Sequence, residues 1–286
     1  MIQNNIYFSF LNMSKIQIFL IIFVVIIIIF CIFLFSRQPS LDRDWEKDQE
    51  ILAEISFSGS NIHIKNMRDF SYSSVNDYEE NYYDQKLNIE DIQSLYYIIE
   101  PFGEHDWPAH TMFSFGLKNG EYIVISAEIR KEKWESFSPL KWLIREYEVV
   151  YMIWSERDFV KLRANHRKDE VIVYPIKTPK EKIQKLFISM LNRADELSTK
   201  PEFYNTLTQN CTTSILNHVN DIREEKIPWS IEALLPSHSD KIIYDLGLID
   251  TDLSLEEARK YYTINELSEK FWTDQNYSEK IRKQIK

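Results

Sequence analysis

From Ile18 to Phe35 the chain reads IFLIIFVVIIIIFCIFLF, without one polar side chain. A run of this kind meets the requirement of about 20 apolar residues for a helix crossing a bilayer core. It is longer than the ~7–15 residues usual for the apolar region of a cleaved secretory signal. No small-residue cleavage site follows, because the next residues are Ser36, Arg37, Gln38 and Pro39. Bulky Phe30 before Cys31 disfavours a lipoprotein-type cleavage there. An all-round apolar run of this length suits a membrane span rather than a buried helix of a soluble protein. The expected layout is a short cytoplasmic N-terminus (1–15), a transmembrane signal anchor (16–35) and a polar linker (36–45). Lys15 before the span and Arg37 and Arg43 after it set the orientation weakly. The short N-terminus and the large C-terminal part favour N-in, C-out.

The 286 residues leave room for a sizeable core beyond the anchor, and 5 Gly with 9 Pro in an aromatic-rich chain reads as globular. A net charge of −10 with no basic stripe excludes a nucleic-acid partner and a polybasic membrane-surface helix. No cysteine/histidine cluster has metal-ligand spacing, so neither a metal nor another cofactor is expected. Strands are expected within 61–72, in a hairpin over 110–130, and at 146–155 and 169–176. The tyrosine-rich stretch 73–88 reads as irregular, and 89–101 fits a helix or a strand equally. Helices are expected at 180–198 and 211–222, with short helices in the C-terminal third, including a capping box at Ser254 and Glu257. The pattern predicts one extracytoplasmic α+β domain over 46–250 with an antiparallel sheet, followed by a helical extension over 251–286.

Cys211 is the only cysteine outside the anchor. A disulfide with Cys31 would need Cα atoms within about 7 Å, which the membrane span disfavours. That leaves a lone exported thiol, either inert and buried or nucleophilic. Asn210 is a good N-cap, placing Cys211 in the first turn of a helix, where free N–H groups and the dipole favour a thiolate. His218, two turns along, is about 10 Å away and too distant to serve as base. His63, His166 and His238 have no visible partner, and His105 is a reserve candidate. His110 opens the hairpin. A three-residue loop of Lys118, Asn119 and Gly120 puts Phe113 opposite Ile125 and Phe115 opposite Ile123 on one apolar face. The same register sets His110 opposite Glu128 and Met112 opposite Ser126. Directly opposed side chains have Cβ atoms about 5 Å apart, so Glu128 can orient the imidazole.

The order of histidine on a strand, polar partner on the next, then Asn-Cys at a helix start resembles circularly permuted papain-like enzymes related to NlpC-type peptidases and lecithin–retinol acyltransferases. More specifically, "NIHIKNMRDFSY", "AHTMFSFGLKNGEYIVISAEIRKE", "WSERD", "YNTLTQNCTTSIL" and "LPSHSDKIIYDLGLI" resemble the Lnb N-terminal periplasmic domain family, which includes bacterial lipoprotein N-acyltransferases. The resemblance implies a permuted papain-like domain, with Cys211 as nucleophile, His110 as base and Glu128 or Ser126 as orienting partner. It makes Asn210 and Tyr204 positioning or oxyanion candidates and Arg130 a substrate-binding candidate. Glu156, Arg157 and Asp158 form a charged cluster that suits a structural role.

The implied activity is acyl transfer at the outer face of the cytoplasmic membrane, from a phospholipid donor to the N-terminal amine of a lipoprotein. The alternatives are a cysteine hydrolase of cell-wall peptides and a catalytically idle anchored binding domain. Trp134, Phe137, Leu140 and Trp142 are candidates for an interfacial lip.

Overall fold

The computed structural model describes residues 14–102, 108–136, 146–205, 208–228 and 235–282. The chain divides into two units, Met1–Pro39 and Ser40–Lys286. In the first, helix α1 (Lys15–Ser36) opens with a capping box between Ser14 and Gln17, and none of its side chains is buried. It is long and apolar enough to cross a membrane.

The second unit is mixed α+β. Trp45, where the linker ends, is only 3% exposed, and its backbone bridges Glu132. The single-turn α2 (Lys47–Glu50) leads into β1 (Glu54–Ser58) and β2 (Asn61–Arg68). The stretch from 73 to 88, expected to be irregular, forms strands: β3 (Ser71–Ser74) pairs with β4 (Asp77–Glu79), and β5 (Tyr82–Asn88) pairs with β2. Polar alternation hid them, since these strands lie at the margin and bury few side chains. The ambiguous segment resolves as β6 (Ile92–Pro101), an apolar run buried on both sides.

The hairpin is β7 (Ala109–Leu117) and β8 (Tyr122–Arg130). Phe113 pairs with Ile125 and Phe115 with Ile123. The loop closes through Leu117 N–H to Glu121 O at 2.8 Å, with Gly120 at φ 85°. That left-handed position favours glycine, as the three-residue loop requires. Next come β9 (Glu148–Ser155), α3 (Glu156–Val160), a π-helix (Lys161–Arg167) and β10 (Ile172–Pro175). After them lie α4 (Lys180–Thr199), β11 (Glu202–Phe203) and α5 (Cys211–Ile222). Four short helices follow: α6 (Ser239–Asp245), α7 (Leu255–Tyr262), α8 (Asn265–Phe271) and α9 (Tyr277–Lys280). The expected capping box at Ser254 and Glu257 opens α7.

The main sheet runs β1-β2-β9-β8-β7-β6-β10, with β5 beside β2 and β11 beside β9. All pairings are antiparallel except a single parallel bridge between Arg68 and Trp154. One face carries Phe113, Phe115, Ile123 and Ile125 against Phe187, Met190 and Leu191 of α4 and Ile215 of α5. The opposite face is also covered: Met112, Val124 and Met152 pack with Phe159, Ile264, Tyr277 and Ile281. The C-terminal residues Ile264, Tyr277 and Ile281 therefore belong to the same compact unit and, with Phe159, supply its second layer.

Candidate active site

Strand alternation puts His110 and Thr111 on opposite faces of β7. Extending the Phe113–Ile125 register by three residues brings His110 across from Glu128. Its Nε2 lies 2.9 Å from Glu128 Oε1 and 2.7 Å from Ser126 Oγ. The Ser126 hydroxyl itself donates to Glu128 Oε1 at 2.9 Å. Both neighbours of Nε2 thus accept from it, so Nε2 carries a proton.

Thr111 ties the strand to the helix of Cys211, its hydroxyl lying 3.1 Å from that of Thr212. α5 starts at Cys211 because Asn210 caps it: Thr213 N–H donates to Asn210 Oδ1 at 2.7 Å, and Asn210 N–H donates to Thr213 Oγ1 at 2.9 Å. This reciprocal box satisfies two otherwise orphaned donors. Cys211 is 6% exposed, with its sulfur 3.9 Å from the Thr212 hydroxyl. The His110 side chain and the hydroxyl and backbone N–H of Thr111 all act on that sulfur through hydrogen bonding.

The electrostatics follow from this placement. Burial alone would push the thiol pKa up, but the His110 hydrogen bond and charge, with the Thr111 donors, hold it below its ordinary value. Burial alone would also keep His110 neutral. The Glu128 charge and the hydrogen bonds to Cys211 and Glu128 outweigh it and raise the imidazole to about 10. Glu128 resists burial likewise: His110, Arg163 and Ser126 bring it down to about 2. Below the imidazole value and above that of the thiol, the resting pair is thiolate and imidazolium.

Arg163 carries no sequence signal, yet it completes the site. From the π-helix its guanidinium, 3% exposed, donates to Glu100 Oε2 at 2.6 Å and to Glu128 Oε1 at 3.3 Å. It also lies 3.5 Å from the Phe159 ring centroid. The fixed cation keeps Glu128 ionised and turned toward His110. Thr111 was missed as well, although its position between His110 and the core strand residues is the only hint the pattern offers.

The other sequence candidates divide clearly. Ser126 joins the triad as a bridge. Tyr204, 8% exposed, senses the charges of Cys211 and Glu128, and burial keeps its phenol neutral well above the ordinary range. The Asn210 side-chain oxygen accepts from Thr213 N–H in the cap and so holds the start of α5, and Cys211 with it, in place. Arg130 corrects the substrate-binding expectation. It is 5% exposed, donates to the carbonyls of Gln49 and Glu50 at 3.1 and 2.9 Å, and stacks 4.2 Å from the Trp45 ring. It fastens the segment after the linker to the sheet.

His218 is structural, as its spacing suggested: Tyr151 OH and Ser189 Oγ each lie 2.8 Å from one ring nitrogen, and burial lowers its pKa to about 4. Arg68 Nε donates to Asp158 at 3.0 Å and Arg282 to Glu156 at 2.7 Å, so this charged cluster supports the fold. His105, Phe137, Leu140 and Trp142 lie outside the described residues, while Trp134 is 76% exposed. Among the described residues, no group of His, Cys, Asp and Glu could hold a metal ion.

A model of the Lnb N-terminal periplasmic domain family matches residues 78–237, more than half of the chain. The chain belongs to that family. Cys211, His110, Glu128, Ser126, Thr111 and Arg163 all fall within the matched span. Neither a curated protein nor a solved structure gives a significant match. Membership in the Lnb N-terminal periplasmic domain family and the apolar α1 fit a single-pass membrane protein with a periplasmic domain.

Proposed function

We propose that this protein is a membrane-anchored thiol acyltransferase that moves an acyl chain from a phospholipid to the N-terminal amine of lipoproteins. In this reading the fold is a circularly permuted papain-like one, and the periplasmic domain works at the outer face of the inner membrane, with the N-terminus inside. The observation that carries the proposal is the Cys211–His110–Glu128 constellation, with an ionised carboxylate behind a charged imidazole at the first turn of a helix. A chain that also carries its own apolar helix is held where both substrates reside.

The cycle uses only groups of this chain. The Cys211 thiolate attacks the donor ester carbonyl, forming the S–C bond and pushing the carbonyl electrons onto oxygen. The backbone N–H groups of Cys211 and Thr212, at the helix start where no intrahelical acceptor exists, are positioned to receive that oxyanion. Collapse breaks the ester C–O bond, and His110 gives its proton to the departing lysophospholipid oxygen. The lipoprotein amine then attacks the thioester carbonyl. His110 accepts the amine proton, the S–C bond breaks, and the thiolate returns. Glu128 stabilises the imidazolium in both halves. A thiol only 6% exposed in the resting enzyme suits an intermediate that must await an amine rather than water.

Mass spectrometry of lipoprotein N-termini in cells lacking the protein tests the proposal. N-acylation should disappear, return with the wild-type chain, and not return with Cys211→Ala. Fully N-acylated lipoproteins in the deletion strain, with no second N-acylating activity in its membranes, would overturn it, and altered cell-wall peptides there would point to a hydrolase.

A further inference from the structure

A cavity of about 230 Å³ lies along α5, on the face of the sheet that bears Phe113. Five of its lining residues come from one stripe of that helix, Thr212, Ile215, Leu216, Val219 and Ile222, and Arg223 follows at its end. At 1.5 Å per residue, Thr212 to Ile222 is about 15 Å of wall. The cavity begins one residue from the nucleophile, at Thr212. There the neighbouring polar groups are already engaged with one another, Thr212 with Thr111 at 3.1 Å and Tyr97 with Ser239 at 2.7 Å. Between its ends the walls are aliphatic or aromatic, with Leu95, Phe113 and Leu186 facing Ile242 and Ile243 of α6. Val219, Ile222 and Ile243 are only partly buried although they pack on the main core.

We propose that this cavity is the acyl-chain subsite, holding the carbonyl-proximal methylenes of a fatty acyl chain with its carbonyl at the Thr212 end. The inference rests on the acyltransferase reading and adds which part of the molecule takes the chain. Three features select this occupant. A peptide would bring N–H and C=O groups into walls that offer them no partners, whereas a polymethylene chain brings none. The volume exceeds the roughly 150 Å³ at which a dry apolar cavity already accepts a hydrocarbon. The slot follows one helix stripe away from Cys211, which is the path of a chain whose first carbon is bonded to that sulfur.

The far end also sets a limit. Lys177, Lys182 and Arg223 line it, their stems apolar and their heads cationic, and the Lys182 ammonium has no partner among the described residues. A methyl end that passes beyond the aliphatic walls emerges among these charges, so the cavity measures chain length rather than accepting any lipid.

The test uses the full-length chain in lipid nanodiscs. Cys211 acylation is followed by intact mass with acetyl and palmitoyl p-nitrophenyl esters, in wild type, Val219→Trp and Ile243→Trp, whose new indoles fill the slot from opposite walls. Both variants should lose palmitoylation by about tenfold or more while keeping wild-type acetylation, which also shows that they fold. A palmitoyl probe with a diazirine at its methyl end, added to Cys211→Ala, should cross-link to peptides covering 176–182 or 222–227. Equal palmitoylation in wild type and both tryptophan variants, or cross-links confined to other surfaces, would overturn the subsite. If Cys211 accepts neither ester while cross-links still fall in the slot, the subsite stands and the acyltransferase reading fails.

Discussion

At the residue scale the site is a chain of charges fixed from behind: Glu100, Arg163, Glu128, His110, Cys211. Replacing His110 with Ala removes the cation that holds the thiolate and the proton donor to the leaving oxygen, and should slow Cys211 acylation by about 10²–10⁴-fold in single-turnover assays. The pH profile of acylation should rise as the thiol ionises, below its ordinary value, and fall as His110 deprotonates near 10. Glu128→Gln keeps the shape but removes the charge, so the upper limb should move toward neutrality. An upper limb unmoved in that variant would show that Glu128 is not the group raising the imidazole. The same shifts act on stability. His110 is raised from 6.5, so its contribution is complete below pH 6.5 and is lost as pH climbs through about 10. Glu128 is depressed from 4.5, so its contribution holds above pH 4.5 and is lost as pH falls toward 2. Cys211 is depressed from 9.0 and offsets His110 between pH 6.5 and 9, so denaturant titrations should show a decline in wild type between pH 9 and 10 that His110→Ala lacks.

Elements place these residues, and some were more legible than others. The hairpin could be read because Phe113, Phe115, Ile123 and Ile125 admit only one register that buries a common face, and that register delivers His110 to Glu128. Asn210 announced the start of α5. The strands between 71 and 88 could not be read this way, since marginal pairing buries too few side chains to mark a period. β6 defied assignment because a strand buried on both faces loses its alternation. Ser114 and Ser126 are polar yet fully buried, because the layer on their face is assembled from Phe159 and from Ile264, Tyr277 and Ile281 much further along the chain. Arg163 was invisible for a related reason: its partners meet it only through the tertiary fold. The helix cap makes an element-scale prediction. Asn210→Ala should cost about 1 kcal/mol in unfolding free energy and let the first turn of α5 fray, with Cys211 alkylating faster with iodoacetamide above its pH of half-ionisation. Unchanged stability would show that the capping box does not hold this end.

At the scale of the whole molecule, the anchor and the periplasmic unit are separable while the C-terminal helices are not. Removing residues 1–39 should leave a soluble domain with a cooperative thermal transition close to that of the full chain, because the second unit has its own core. Ending the chain after Asp250 should abolish that transition. The truncation uncovers Met112, Val124 and Met152 and leaves Glu156 buried without Arg282, a loss of about 3–5 kcal/mol for the broken ion pair alone. A folded 40–250 fragment would contradict the account of the second layer. The central claim, that Cys211 carries the acyl group between two substrates, is tested most directly by mass spectrometry of the Cys211 peptide from full-length protein in phospholipid vesicles without an amine acceptor. The account predicts a hydroxylamine-sensitive acyl adduct on Cys211, absent from His110→Ala on the same time scale and discharged when a lipoprotein N-terminal peptide is added. Cys211 that stays unacylated in folded, membrane-inserted protein would contradict it.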